Sequence, residues 1–171
     1  MSRSFRRIGV FGACAVTAVT LATAVPAAAH DDGDGFDFTL YAKEVGDGNA
    51  PGGTGSSGPP PKVGDTFTFA DDLFKTKGGD KVGRDGGTCA VVRTSDSQVD
   101  ATCSGTFVLN GGPGGQLTAQ TLTTFSTGAQ TPAAFDIAVT GGTGDFKNAH
   151  GYIRVTPDGD YERMEFHITN R

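Results

Sequence analysis

The sequence predicts an all-β fold, an eight-stranded antiparallel up-and-down barrel. Three observations carry that expectation. Apolar and polar residues alternate over short runs, as on half-buried strands, and no long helical periodicity occurs. The composition is rich in threonine, lacks tryptophan, and has 27 glycines to punctuate the runs. Each run can also pair with its neighbour in sequence, and eight such strands with one buried face close naturally, removing open edges. A two-sheet sandwich is the architectural rival. A barrel of this size is either filled by side chains or holds one small ligand.

Residues 1–29 read as a secretory signal peptide. Arg3, Arg6 and Arg7 form a positive start, Ile8 to Val25 is apolar, and Ala27-Ala28-Ala29 is a small-residue cleavage site. The mature chain then begins at His30 and is exported. Cys14 follows too short an apolar run to be a lipoprotein cysteine. No later segment approaches the roughly 20 apolar residues of a spanning helix, so no membrane insertion is expected. Of the 14 basic residues three leave with the signal, so 11 face 19 acids, a formal charge of −8. That balance argues against nucleic acid or an anionic membrane as partner. The length suits one domain with a real core.

Residues 30–62 hold an acidic leader, the first strand and a flexible loop; 63–171 complete the domain, with the barrel over 36–171. Asp31, Asp32, Asp34 and Asp37 resemble half a calcium loop, but no glutamate follows at the required spacing. Phe36, Phe38, Leu40 and Ala42 share one face of the first strand. The Gly/Ser/Pro-rich stretch 46–61 is a long loop that either lies over a barrel mouth or is a plain insertion. The second strand alternates Thr and Phe from Asp65 to Phe69 and continues through Asp71-Asp72-Leu73-Phe74. Lys81 to Thr94 is the third, with a bulge expected at Gly86-Gly87. After a turn at Ser95-Asp96-Ser97, Gln98 to Leu109 returns the chain.

Cys89 and Cys103 are the cysteines left in the exported chain, and such a pair reads as a disulfide. A hairpin centred on Asp96 sets them directly opposite, close enough to bond. The bond would stabilise by about 3 kcal/mol in the chain-entropy account.

Gln116 to Ser126, Phe135 to Thr140, Tyr152 to Thr156 and Tyr161 to Thr169 complete the strands. Between the sixth and seventh lies a glycine-dense corner, Gly141-Gly142-Thr143-Gly144 to Gly151, more contorted than a simple hairpin. Phe146 and Ala149 have the spacing of a short turn folded back onto the core. A phosphate loop is excluded, because no helical pattern follows and no Gly-Lys-Ser/Thr closes it.

Over roughly Gly64 to Ile168 the chain resembles the allene oxide cyclase barrel superfamily, which includes the plant dirigent and bacterial dirigent-like proteins. The resemblance rests on four segments in family order. They are Gly64-Asp65 with Phe67-Thr68-Phe69 and Leu73-Phe74; Val82-Gly83 with Gly87-Thr88-Cys89; Gly115 to Gln120; and the corner with Phe146, Ala149 and Gly151. It implies an eight-stranded barrel with an apolar cavity, often assembled as a homo-oligomer (dimer or trimer). Cyclases in the superfamily fold a fatty-acid-derived epoxide, whereas dirigent proteins steer the coupling of phenoxy radicals or quinone methides. Both restrict a reactive ligand by shape and water exclusion, and neither calls for a metal or redox cofactor.

Asp71, Asp72 and Asp136 look like the dirigent carboxylates, and acids in an apolar barrel would gain proton affinity and serve as proton donors. His150 stands where dirigent proteins usually carry arginine. Cys89 matches a cyclase cysteine near the cavity but here is tied to Cys103, and Glu44 is the nearest candidate for the cyclases' catalytic glutamate. The resemblance implies a small apolar or phenolic ligand whose cyclisation or coupling is steered, an isomerase-type activity if catalytic, with Asp71, Asp72, Asp136 and His150 as cavity groups. A non-catalytic carrier, or a filled structural barrel, is the alternative.

Overall fold

The computed structural model describes residues 35–45, 60–126 and 133–170. The segment 1–29 expected to be a signal peptide, the acidic leader before Gly35 and nearly all of the loop 46–61 lie outside the described residues. Eight strands run in chain order: β1 Gly35–Glu44, β2 Thr66–Phe74, β3 Lys81–Thr94, β4 Gln98–Leu109, β5 Gly115–Ser126, β6 Phe135–Gly142, β7 Ala149–Asp158 and β8 Tyr161–Asn170. Each pairs antiparallel with its neighbour, and β8 pairs with β1, so the sheet closes into the expected barrel. Among the described residues no helix is long and apolar enough to cross a membrane, and no three metal-binding side chains cluster.

Strand alternation decides what faces inward. Leu40 and Ala42 on β1, Leu73 on β2, Phe107 on β4, Leu117 on β5, Ile153 and Val155 on β7, and Phe166 on β8 form one buried cluster. A single 3₁₀ turn at Gly144–Phe146 drives the fully buried Phe146 into it, against Phe36 with ring centroids 5.5 Å apart. The turn is pinned where the backbone N–H of Gly114 donates to the Asp145 carboxylate at 2.9 Å and the Asn170 side chain donates to the Asp145 carbonyl at 2.7 Å. The corner thereby plugs one end, here called the base. A second apolar cluster of Phe67, Cys89, Val91, Val99 and Ala101 lies on β2, β3 and β4. Cys89 pairs with Cys103 in register, and the two form the disulfide, with Cα atoms 4.1 Å apart.

No bulge occurs at Gly86-Gly87; the β3 irregularities lie opposite Leu73/Phe74 and at Val91/Arg93. The glycines serve packing instead. Gly87 faces Gly105 across β3 and β4, and the Phe69 ring occupies the space their missing side chains leave. A Cβ on Gly87 would sit 2.6 Å from that ring and 2.8 Å from the Gly105 backbone.

The weakest seam is β1–β2, paired only through Tyr41–Glu44. The β2–β3 turn straps across it. Lys77 donates to the Asp158 carbonyl at 3.0 Å and lies over the Tyr41 ring, while the Gly78 N–H donates to the Tyr161 hydroxyl at 3.1 Å.

Candidate functional site

The same alternation that fills the core with apolar side chains places four acids on its inward face. On β1 the inward series Phe36, Phe38, Leu40, Ala42 continues to Glu44; on β2, Phe67, Phe69 and Leu73 bracket Asp71. On β3 Asp85 precedes Gly87, Cys89 and Val91, and on β8 Glu162 precedes Met164, Phe166 and Ile168. Register joins them into one row. Glu44 is opposite Asp71, Asp71 is opposite Asp85, and Glu162 is opposite Ala42, one inward position from Glu44. Directly opposed side chains on neighbouring strands are about 5 Å apart at Cβ, so like charges there repel. The row crosses β8, β1, β2 and β3 between the two apolar clusters.

Burial and crowding hold protons on it. Asp85 is 7% exposed, and among the described residues neither of its carboxyl oxygens meets a hydrogen-bond partner in good geometry, the Asp71 carboxyl being the polar neighbour that interacts with it. Burial first, then the Asp71 charge opposite it, pushes its pKa up to about 9. Burial also raises Asp71, reinforced by the charges of Glu44 and Asp72 and opposed by a hydrogen-bonding interaction with Asp85. Asp71 is therefore the neighbour able to share a proton with Asp85, and the two titrate as a pair. Burial, with Asp71 and Glu44 nearby, raises Glu162 to about 7. Glu44, at the end of β1, is exposed and connects the row to solvent. Near neutral pH the row holds carboxylic acid donors within reach of an ionised neighbour. That is an arrangement for giving a proton to a ligand oxygen or nitrogen and stabilising the cation or enol so formed.

The structure does not bring the four sequence-derived residues together. Asp71 faces inward in the row. Asp72, one residue out of phase, carries an ion pair to Lys81. Asp136 lies between the inward-facing Phe135 and Ile137, pairs with Arg154 at 3.0 Å, and borders an outer groove of about 400 Å³ with Tyr152 and His167. His150 is exposed between Ala149 and Gly151, its Nδ1 3.0 Å from the Asn148 carbonyl oxygen. Asp85 and Glu162 were missed. The available signal was strand parity: Asp85 shares its phase with Gly83, Gly87, Cys89 and Val91, and Glu162 with Met164, Phe166 and Ile168.

A closed eight-stranded antiparallel barrel defines the fold class, and likeness to known proteins agrees with it. The chain belongs to the Dirigent-like protein family, which matches residues 37–169. Among solved structures it is similar to pyocyanin demethylase, at 28% identity and a TM-score of 0.57, over 77% of this chain and 99% of that one. It shares the fold of a pterocarpan synthase dirigent protein, at 18% identity and a TM-score of 0.52, over 80% of this chain and 90% of that one. No curated protein matches.

Proposed function

We propose that this dirigent-like barrel binds a small planar, phenol-like ligand against the acid row and steers its cyclisation or coupling by protonating it in a fixed orientation. One observation carries the reading: a buried carboxyl, Asp85, without a formed hydrogen bond among the described residues, shares its site with three further acids on the inner wall. A buried polar group left unpaired costs stability, and a ligand heteroatom would supply the missing partner. In this reading Asp85 and Glu162 are the proton donors, Asp71 shares and relays the proton, and Glu44 exchanges it with water. Asp72, Asp136 and His150 belong to the outer surface and take no part in proton transfer. Export through residues 1–29 and assembly into a homo-oligomer complete the proposal.

The similarity to pyocyanin demethylase makes pyocyanin the first compound to try, beside a panel of phenols and quinone methides. Binding is read by equilibrium dialysis and turnover by product stereochemistry. D85N and D71N are expected to keep binding within about threefold and to lose product bias. If both variants retain full bias with a ligand that wild type turns over, the acid row is not the catalytic group. Binding without turnover by wild type would favour the carrier reading.

A further inference from the structure

The barrel wall has a gap on the side of the weak seam, away from the acid row. Because β2 ends at Phe74, opposite Tyr41, the first part of β1 has β8 on one side and, among the described residues, no strand partner on the other. Across this gap stand Val82 of β3, Leu109 of β4 and the turn 110–113, held to β3 where the Asn110 N–H donates to the Val82 carbonyl at 2.8 Å. The inward-facing Phe38 and Leu40 are thereby reachable from outside. Together these groups line a pocket of about 390 Å³, within the range of small-molecule sites.

Its lining is apolar except at the rim, and its charge is of one sign. Among the described residues Lys75 is the charged residue of the lining, and no carboxylate joins it. Lys77 on the same turn and Lys81 at the start of β3 are engaged with Asp158 and Asp72, but Lys75 has no ion-pair partner among the described residues. An apolar slot with one unpaired ammonium at its mouth selects a ligand with an apolar body and one anionic end. We propose that this gap is a second ligand site, independent of the acid row, for a small amphiphilic monocarboxylate. Its tail lies against Phe38, Leu40, Val82 and Leu109, and its carboxylate meets Lys75. The neighbouring strap fixes the lysine-bearing turn against β1, so the site is formed before the ligand arrives.

Decanoate is the probe, titrated calorimetrically into the intact protein, with decanol as its uncharged counterpart. Saturable one-to-one binding is expected, with decanol about fivefold weaker, the scale of one exposed charge pair. K75E should weaken decanoate by at least that factor without affecting decanol, V82W should fill the slot and reduce both by about tenfold or more, and D85N should change neither. Absence of saturable decanoate binding, equal affinity for decanol, or binding lost in D85N and kept in V82W overturns the proposal. If V82W fails to fold, wild-type methyl resonances decide. Decanoate shifts centred on Leu40, Val82 and Leu109 support the site, and shifts centred on Val91 and Ala101 in the second apolar cluster place the ligand elsewhere in the barrel instead.

Discussion

Replacing Asp85 with asparagine is expected to stabilise the protein while removing its strongest proton donor. In the folded barrel Asp85 keeps its proton up to about 9, whereas in the unfolded chain it ionises at the ordinary 3.8. Between those values the native state binds a proton the unfolded state does not, so stability falls as pH rises. At pH 7 roughly three pH units of protonation work must be done on folding, at about 1.4 kcal/mol each, or about 4 kcal/mol. Asparagine has nearly the same shape and needs no proton. Because Asp71 and Asp85 share the effect, 4 kcal/mol is a ceiling, and a gain of about 2–4 kcal/mol at pH 7 is expected. Urea unfolding at pH 5, 7 and 8 measures it, the gain at pH 5 shrinking to about 1–2 kcal/mol. A D85N protein less stable than wild type at pH 7, or a difference that does not grow with pH, would refute the account of the acid row. A substitution that strengthens the fold and weakens chemistry is the usual signature of a strained functional site.

Three further outcomes follow from the same structure. Glu162, raised from 4.5 to about 7, contributes stability that is complete below 4.5 and lost as pH rises through 7. E162Q should therefore flatten the stability–pH curve, removing about 3 kcal/mol of its fall between those values; an unchanged curve shows that Glu162 is not buried with its proton. Reducing Cys89–Cys103, or replacing both with alanine, should cost about 3 kcal/mol, and a thermal midpoint unmoved by reductant would count against the bond. Gly87→Ala should destabilise by about 1–3 kcal/mol through collision with the Ser104 carbonyl oxygen, the Phe69 ring and the Gly105 backbone. Combined with Phe69→Ala in a double-mutant cycle it should be less than additive, and strict additivity would mean that the ring does not fill that space.

Much of the architecture was legible in the sequence because it is written in period two. The inward series on β1, β5 and β8, the turns and the opposition of Cys89 to Cys103 all follow from alternation and turn chemistry. The site was less legible, for a related reason. Family position drew attention to Asp72, Asp136 and His150, yet a residue beside an inward apolar one must face out, and all three do. Asp85 and Glu162 sat in the correct phase, Asp85 amid glycines whose lack of side chains obscures the parity of β3, and Glu162 among charged neighbours next to a turn. Which acids become neighbours is set by register between strands distant in sequence, including β8 with β1, and no local pattern encodes it.

The position of the acid row relative to the closing seam has a consequence for how the protein folds. The β3–β4 and β4–β5 hairpins join residues close in sequence, and the disulfide spans a separation of 14. The pairing of β1 with β8 joins strands at opposite ends of the sequence, Gly35 with Thr169, and carries the largest loop-closure entropy. Glu162, Glu44, Asp71 and Asp85 lie on the two strands of that closure and the two that follow, so the row does not exist until the ring shuts. Before then its acids are hydrated and ionised near neutral pH. Closure is therefore a proton-uptake event: the chain takes the protons of the row from the medium at the step that seals it, and the completed barrel emerges already charged with them.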